Sequence, residues 1–357
     1  MACMDGHLIT IDGTAHDVSL GAVRTLHAEG GRFWLDATNL DQDEAHALLA
    51  GVFGFHPLAV EDAVHFGQRP KVDAYDDFAL LVVFGATAVG ALVEVHCFYT
   101  ERFLVTVHRD PCPALDELAT RLSQGRLPGA GPDHAMLLHR VVDTLVDGYF
   151  PVLEAIDDDI DELEDDILRR PTDEQLGALF DLKRSLIALR KVVTPQRDMF
   201  AGLLSGREVL PGMTPDAERY FRDLYDHLIR IGDLVDSYRD LVSGALDTHL
   251  STVSNRLNAV MKQLTIIATV FLPLSFLTGF FGQNFGWMVR RLGSLPVFVG
   301  LGIGAQLATV VALMVLFRHR GWLSADGTVP ASRTTPTGRQ PVARERRWRD
   351  VRVPGRG

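Results

Sequence analysis

The residues of this sequence best suited to chemistry are uncharged. The stretch Thr278-Gly-Phe-Phe-Gly-Gln-Asn-Phe285 sets Gly282, Gln283 and Asn284 side by side at the end of a long apolar run. As a lone tripeptide this is a helix C-terminus, because Gly and Asn both tolerate left-handed backbone. In a ring of copies it becomes something else: amide oxygens and glycine carbonyls converge on an axis. Such neutral oxygens hydrogen-bond the waters of a hydrated divalent ion without stripping them, and Mg2+ holds its waters tightly and prefers octahedral oxygen. Binding stays weak enough for release, which conduction requires. Covalent chemistry has no comparable foothold. No nucleophile elbow, Walker loop, HExxH or paired-carboxylate arrangement emerges, and the 13 histidines are scattered. The expectation is a protein that is not an enzyme and has no organic cofactor.

The elements that must position this tripeptide are apolar helices. Gln263–Val289 and Leu292–Phe317 contain no charge, runs of 27 and 26 residues, where about 20 span a bilayer's hydrocarbon. Arg290 and Arg291 separate them, and each would cost about 2.5–3.5 kcal/mol at the bilayer centre. A two-helix hairpin with both arginines in water avoids that cost. Arg256 and Lys262 precede the first span, and Arg318, Arg320 and an Arg-rich tail follow the second. The positive-inside tendency therefore puts both termini in the cytoplasm of a cell-membrane protein. Along the first span Asn258, Met261, Leu264, Ala268, Leu272, Ser275 and Gly279 share one narrow face. In a single copy that is a helix-packing face; in a ring it lines an axial hole that Met and Leu close by excluding water. The second span is rich in small residues (Gly300, Gly302, Gly304, Ala305, Ala308, Ala312) that let helices approach closely.

The rest of the 357 residues reads as a cytosolic body. The net charge of −11 hides a tail, residues 318–357, with ten Arg and three acids; the body before it is strongly acidic, which speaks against nucleic-acid binding. The tail carries Pro, Gly, Ser and Thr between its arginines and reads as disordered, lying against anionic lipid headgroups. Cys3, Cys97 and Cys112 form no metal or redox spacing and suit a reducing compartment; the N-terminus lacks a signal-peptide pattern. Candidate strands are Arg32–Asp36, Phe78–Phe84, Ala91–Tyr99 and Phe103–His108, with helices over Asp41–Val52 and Pro57–Val64. After Pro113 the texture is helical, which predicts an α+β domain feeding an all-helical part. Between Glu154 and Asp166 nine of thirteen residues are acids, interleaved with Ile156, Ile160, Leu163 and Ile167. That pattern is a solvated face over a packed stripe, or a surface that concentrates cations. From Thr214-Pro215 an apolar seam runs through Tyr220, Leu224, Leu228, Ile231, Val235, Tyr238, Val242, Leu246, Leu250, Val253, Leu257 and Met261. It predicts one helix of roughly 100 Å, packed on its own domain and on copies of itself. The expected organisation is an α/β domain over 1–130, an acidic helical segment over 131–213 and a long stalk helix over 214–281 whose end, from about 263, is the first span. A loop over 282–296, a second span over 297–317 and a basic tail over 318–357 complete it.

The run Leu250-Ser-Thr-Val-Ser-Asn-Arg-Leu-Asn-Ala-Val-Met-Lys-Gln-Leu-Thr-Ile-Ile-Ala-Thr-Val-Phe-Leu-Pro-Leu-Ser-Phe-Leu-Thr-Gly279 resembles the CorA family of divalent-cation channels. The similarity resumes in Arg318-His-Arg-Gly-Trp-Leu323, and a second patch lies in His56-Pro-Leu-Ala-Val-Glu-Asp and Gln68-Arg-Pro-Lys-Val-Asp73. The resemblance implies a CorA-like, funnel-shaped homopentamer in a lipid bilayer, passing divalent cations down the membrane potential under control of cytosolic cation. Mg2+ is the expected ion, as substrate and regulator, with Co2+ and Ni2+ as others. By matching position, Gly282, Gln283 and Asn284 form the outer recognition site and Asn258 the inner polar ring. Met261, Leu264 and Leu272 form the apolar constrictions, and Ser275 and Gly279 line the same face. Asp247 matches an acidic regulatory metal position, and Arg318 and Arg320 the basic cluster at the cytoplasmic end.

The sequence also departs from that family. Its signature is Gly-Met-Asn, whereas Gln283 stands in the middle here, and the strand that supplies Asp247 with a partner carboxylate reads Val83-Phe-Gly-Ala-Thr87. Arg290 and Arg291 occupy a loop that usually carries acids, and they repel cations over about a Debye length of 8 Å. A zinc-transporting branch, ZntB, also departs at the middle position, so proton-coupled Zn2+ transport is the alternative. A membrane-anchored sensor or scaffold that conducts nothing is the second.

Overall fold

The computed structural model describes residues 4–87, 90–124, 134–283, 286–287, 290 and 293–322. These fall into two compact units that divide between Thr248 and His249.

The first unit is built on a seven-stranded sheet among the described residues, in the order β2-β1-β3-β7-β6-β5-β4. The strands are β1 Gly6–Thr10, β2 Ala15–His16, β3 Phe33–Thr38, β4 Lys71–Ala74, β5 Ala79–Ala86, β6 Leu92–Tyr99 and β7 Phe103–His108. Only β3 and β7 pair in parallel; the other neighbours are antiparallel. The four candidate strands are present within one or two residues, while β1, β2 and β4 are added to them. Both faces of the sheet are covered, so its central strands are buried along their whole length rather than alternating with polar residues. On one face Phe33, Leu35, Phe98, Phe103 and Val105 pack under α1 (Leu20–Ala28), α2 (Gln42–Ala45, continuing as a π turn over His46–Ala50) and α3 (Pro57–Val64).

On the other face Trp34, Val83, Val95 and Leu104 join a core that runs into α4 (Pro113–Ser123), α5 (His134–Asp147), α6 (Tyr149–Arg169), α7 (Asp173–Leu204) and the start of α8 (Pro215–Phe281). At Gly85 an added Cβ would sit 2.9 Å from Leu145 Cδ2, so the bare backbone is what brings α5 flush against β5. β4 pairs only as far as Val82, which leaves Phe84 on an open sheet edge. Gln196 of α7 closes it: its Oε1 accepts from the Phe84 N–H at 2.7 Å and its Nε2 donates to the Phe84 carbonyl at 3.2 Å. The side-chain amide acts as one residue of a missing strand, and Tyr149 donates to the same carbonyl at 3.0 Å. The residue before Gln196 is Pro195, inside the helix, where it removes one backbone hydrogen bond and favours a kink.

The acidic helix is α6. Ile156, Ile160, Leu163 and Ile167 are buried in the core, and none of the acids between Glu154 and Asp166 is buried. α8 is one helix of 67 residues. Its seam is buried at Leu224, Leu228, Ile231, Val235 and Val242. Tyr220, expected in the seam, is half exposed, and Phe221 fills the core slot instead, stacked on Phe200 at 6.1 Å.

The second unit holds the end of α8 and α9 (Leu295–His319, with a π turn over Phe298–Gly304). Both helices are long and apolar enough to cross a membrane. α9 ends in a Schellman cap: Trp322 N–H bonds the Phe317 carbonyl at 2.9 Å and Gly321 N–H the Arg318 carbonyl at 3.1 Å, with Gly321 at φ +69. The Phe317 and Trp322 rings stack at 5.7 Å, the apolar contact that accompanies this cap. The Arg-His-Arg-Gly-Trp sequence is thus a helix stop as well as a basic cluster.

Candidate ion pathway and metal-holding clusters

In the second unit Asn258, Met261, Leu264, Ala268, Leu272, Ser275 and Gly279 are all exposed, Leu272 at 72%. At about 100° per residue, the positions from Met261 to Gly279 fall within an arc of roughly 80°, with Asn258 at its margin. The half-buried residues Ile266, Pro273, Leu277 and Phe281 lie on the opposite side of the helix. The narrow face is therefore bare in one copy, and the helix's covered side is elsewhere. Hydroxyls in this span are satisfied internally, as an apolar setting demands: Thr265 donates to the Met261 carbonyl at 2.8 Å and Thr278 to that of Leu274 at 2.5 Å. Gln306 of α9 donates to Thr278 Oγ1 at 3.4 Å. On α9, Gly302, Gly304 and Ala305 are half-buried, whereas Ala308 and Ala312 are exposed.

At the mouth, α8 ends at Phe281, and Gly282 N–H still bonds the Thr278 carbonyl at 2.9 Å. Gly282 does not adopt the left-handed conformation that a glycine stop would use. Gln283 follows, exposed, its N–H on the Phe280 carbonyl at 3.3 Å. Asn284 lies outside the described residues, as do Arg291 and positions 285, 288, 289 and 292 of the loop; Arg290 is exposed. At the other end of the hairpin Arg318 and Arg320 are exposed.

Asp247 is exposed on α8. A different set of groups meets within the first unit. Asp143 and Asp147, one turn apart on α5, face His227 of α8, with one ligand atom from each inside 4.8 Å of the others. Asp223, one turn before His227, brings its Oδ2 to 3.9 Å from the imidazole Nε2. Burial pushes the Asp143 carboxyl above the usual range; Asp223 adds to that, and His227 and Arg140 oppose it. Burial, then the charge of Asp143, does the same to Asp147. Carboxylates crowded and desolvated in this way gain from a cation placed among them. The sequence holds a signal for the cluster in two i, i+4 pairs, Asp143/Asp147 and Asp223/His227, but nothing in it says that the two helices face each other. About three turns further along α8, burial and then Asp157, Asp161 and Glu154 raise the Tyr238 phenol, so these acids of α6 stand close to α8 there.

Comparison with known proteins gives these features a context. The family described as CorA-like Mg2+ transporter protein matches residues 29–319. The chain is 36% identical over 297 residues to the cobalt/magnesium transport protein CorA of Thermotoga maritima, covering 81% of this chain and 83% of that protein. It is 30% identical over 258 residues to the zinc transport protein ZntB of Pectobacterium carotovorum, covering 71% and 73%. Its fold is similar to that of the complete CorA magnesium transporter of Methanocaldococcus jannaschii, with a TM-score of 0.72 at 22% identity over 82% of this chain and 92% of the other.

Proposed function

The chain belongs to the CorA-like Mg2+ transporter protein family, and from that premise we propose that five copies enclose an axis and conduct hydrated Mg2+ into the cytoplasm, with Co2+ and Ni2+ as lesser substrates. The observation that carries this reading is the bare face of α8. Met261, Leu264, Leu272, Ser275 and Gly279 share one narrow arc within a broader exposed side that also carries Ile267, Phe271 and Phe276, while the opposite side is half-buried. In a ring, that arc is the lumen wall: Asn258 is its polar inner ring and the Met and Leu rings are a gate that closes by excluding water. Gly282, Gln283 and Asn284 then ring the outer mouth and hold the ion through its waters. The membrane potential supplies the drive, about 4.6 kcal/mol for two charges across 100 mV. Both termini lie in the cytoplasm in this arrangement, so the first unit reads cytosolic cation. The carboxylates of Asp143 and Asp147 are its reading site, offering the oxygen ligands that Mg2+ prefers, and Asp247 is a second one on α8.

The test is flux in reconstituted vesicles. Asn284→Ala abolishes Mg2+ uptake while the protein stays pentameric; undiminished uptake would remove the selectivity role. A second reading, proton-coupled Zn2+ transport, draws on the likeness to ZntB and on Gln283. Competition of Zn2+ with Mg2+, with and without a pH gradient, separates them: Zn2+ flux that follows the gradient and ignores millimolar Mg2+ favours zinc.

A further inference from the structure

A second group of ligand atoms lies far along the chain from the proposed pathway. His7 of β1 and Asp36 of β3 are register partners on neighbouring antiparallel strands. Asp116, in the first turn of α4, reaches over them, with His7 Nε2 and Asp116 Oδ1 at 2.9 Å. One ligand atom from each of the three lies within 4.8 Å of the others.

The three differ in setting. The Asp36 side chain is 1% exposed, against 37% for His7 and 59% for Asp116. A surface histidine–carboxylate contact alone contributes little and has no need of an acid buried beneath it. Asp36 is moreover held in place from behind. Thr106 donates to its Oδ1, and Trp34 Nε1 donates in turn to the Thr106 hydroxyl at 2.9 Å. His108 Nε2 stands 3.3 Å from its Oδ2, and its ring is fixed by Nδ1 donating to the Asp110 carbonyl at 2.7 Å. A carboxylate oxygen has two lone pairs, so each Asp36 oxygen retains one beyond these contacts. An oriented buried carboxylate, an imidazole and a second carboxylate at a solvent-open mouth are the parts of a three-ligand site with water in the remaining position.

We propose that His7, Asp36 and Asp116 bind a divalent transition-metal ion of the zinc, cobalt or nickel class. The imidazole sets the class: nitrogen donors suit these ions, whereas Mg2+ and Ca2+ take oxygen ligands almost exclusively. The bound ion ties β1, β3 and the start of α4 together. It is distinct from the cluster of Asp143, Asp147 and His227.

The experiment uses the full-length chain, stripped of metal and titrated with zinc in millimolar magnesium, in an Asp143→Asn/Asp147→Asn background that disables the other cluster. The parent binds one more zinc per chain than either His7→Ala or Asp116→Asn, and zinc raises its melting temperature. In both variants that rise is lost, while their metal-free melting temperatures match the parent's, because both side chains are partly exposed. Cobalt in the parent gives visible bands of a nitrogen- and oxygen-liganded ion that excess magnesium does not bleach. Equal zinc counts and equal melting shifts in parent and variants would overturn the site, as would displacement of zinc by magnesium or absence of the cobalt bands.

Discussion

At the scale of single residues, Gln196 shows how much one side chain can replace. Its amide serves both backbone groups of Phe84, a position buried on both faces of the sheet but unpaired on its edge. Gln196→Leu leaves the Phe84 N–H buried without a partner, a cost of about 1–3 kcal/mol, so the purified protein melts at a lower temperature. Tyr149→Phe costs less at the Phe84 carbonyl, because Gln196 still donates there. A thermal melt of the two variants ranks them. None of this is legible in the sequence: Gln196 lies inside a helix, 112 positions from its partner. The same is true of Asp143 and His227, which are ordinary helix polar residues until α5 and α8 are laid together. The proposed mouth residues Gly282, Gln283 and Asn284 draw notice in the sequence because they stand next to one another within an uncharged run, and apolar length needs no tertiary contact to be recognised.

At the scale of elements, the two sides of α8 make the pathway testable. With the proposed lumen on the Leu264 side, a positively charged thiol reagent blocks ion flux through Leu264→Cys and leaves Ile266→Cys, on the half-buried side, conducting. Flux assays with Cys3 replaced by Ser report this cleanly, since Cys97 and Cys112 are buried. Block at Ile266→Cys with none at Leu264→Cys would put the lumen on the wrong face. The cap of α9 gives a stability prediction. Gly321→Ala forces a side chain into the left-handed region at φ +69, costing about 1–2 kcal/mol, which lowers the melting temperature by an amount that a scan in detergent measures. Long elements were legible from periodicity alone: α8 begins at Pro215, as the Thr-Pro signal predicts, and ends at Phe281. Short ones were not. β2 has two residues and β4 four, too few for an alternation to register. The helix expected over Asp41–Val52 changes to a π turn at His46, a shift that leaves the apolar pattern intact.

At the scale of the whole molecule, the proposed cation reading and the proposed gate share one uninterrupted helix, α8. Asp143→Asn/Asp147→Asn removes the crowded charge from the reading cluster and keeps its shape. Conductance then persists at internal Mg2+ levels that shut the parent, the half-closing concentration rising roughly tenfold, within the usual range of coupling between sites; vesicles loaded with graded Mg2+ measure it. The α+β class and the hairpin were legible because composition changes along the chain, from sheet-like to helical to uncharged. The number of copies was not, since what one copy leaves bare says only that something covers it. That bareness has its own consequence. The α8 seam is packed as far as Ala245, and then Leu250, Val253 and Leu257 stand open to solvent. A newly made chain without neighbours displays this greasy band, the kind of surface on which chaperones and proteases act. In the proposed assembly, cellular abundance is thereby tied to successful pairing of nascent chains, and a defect at Leu250 or Leu257 lowers the amount of protein recovered before it alters any current.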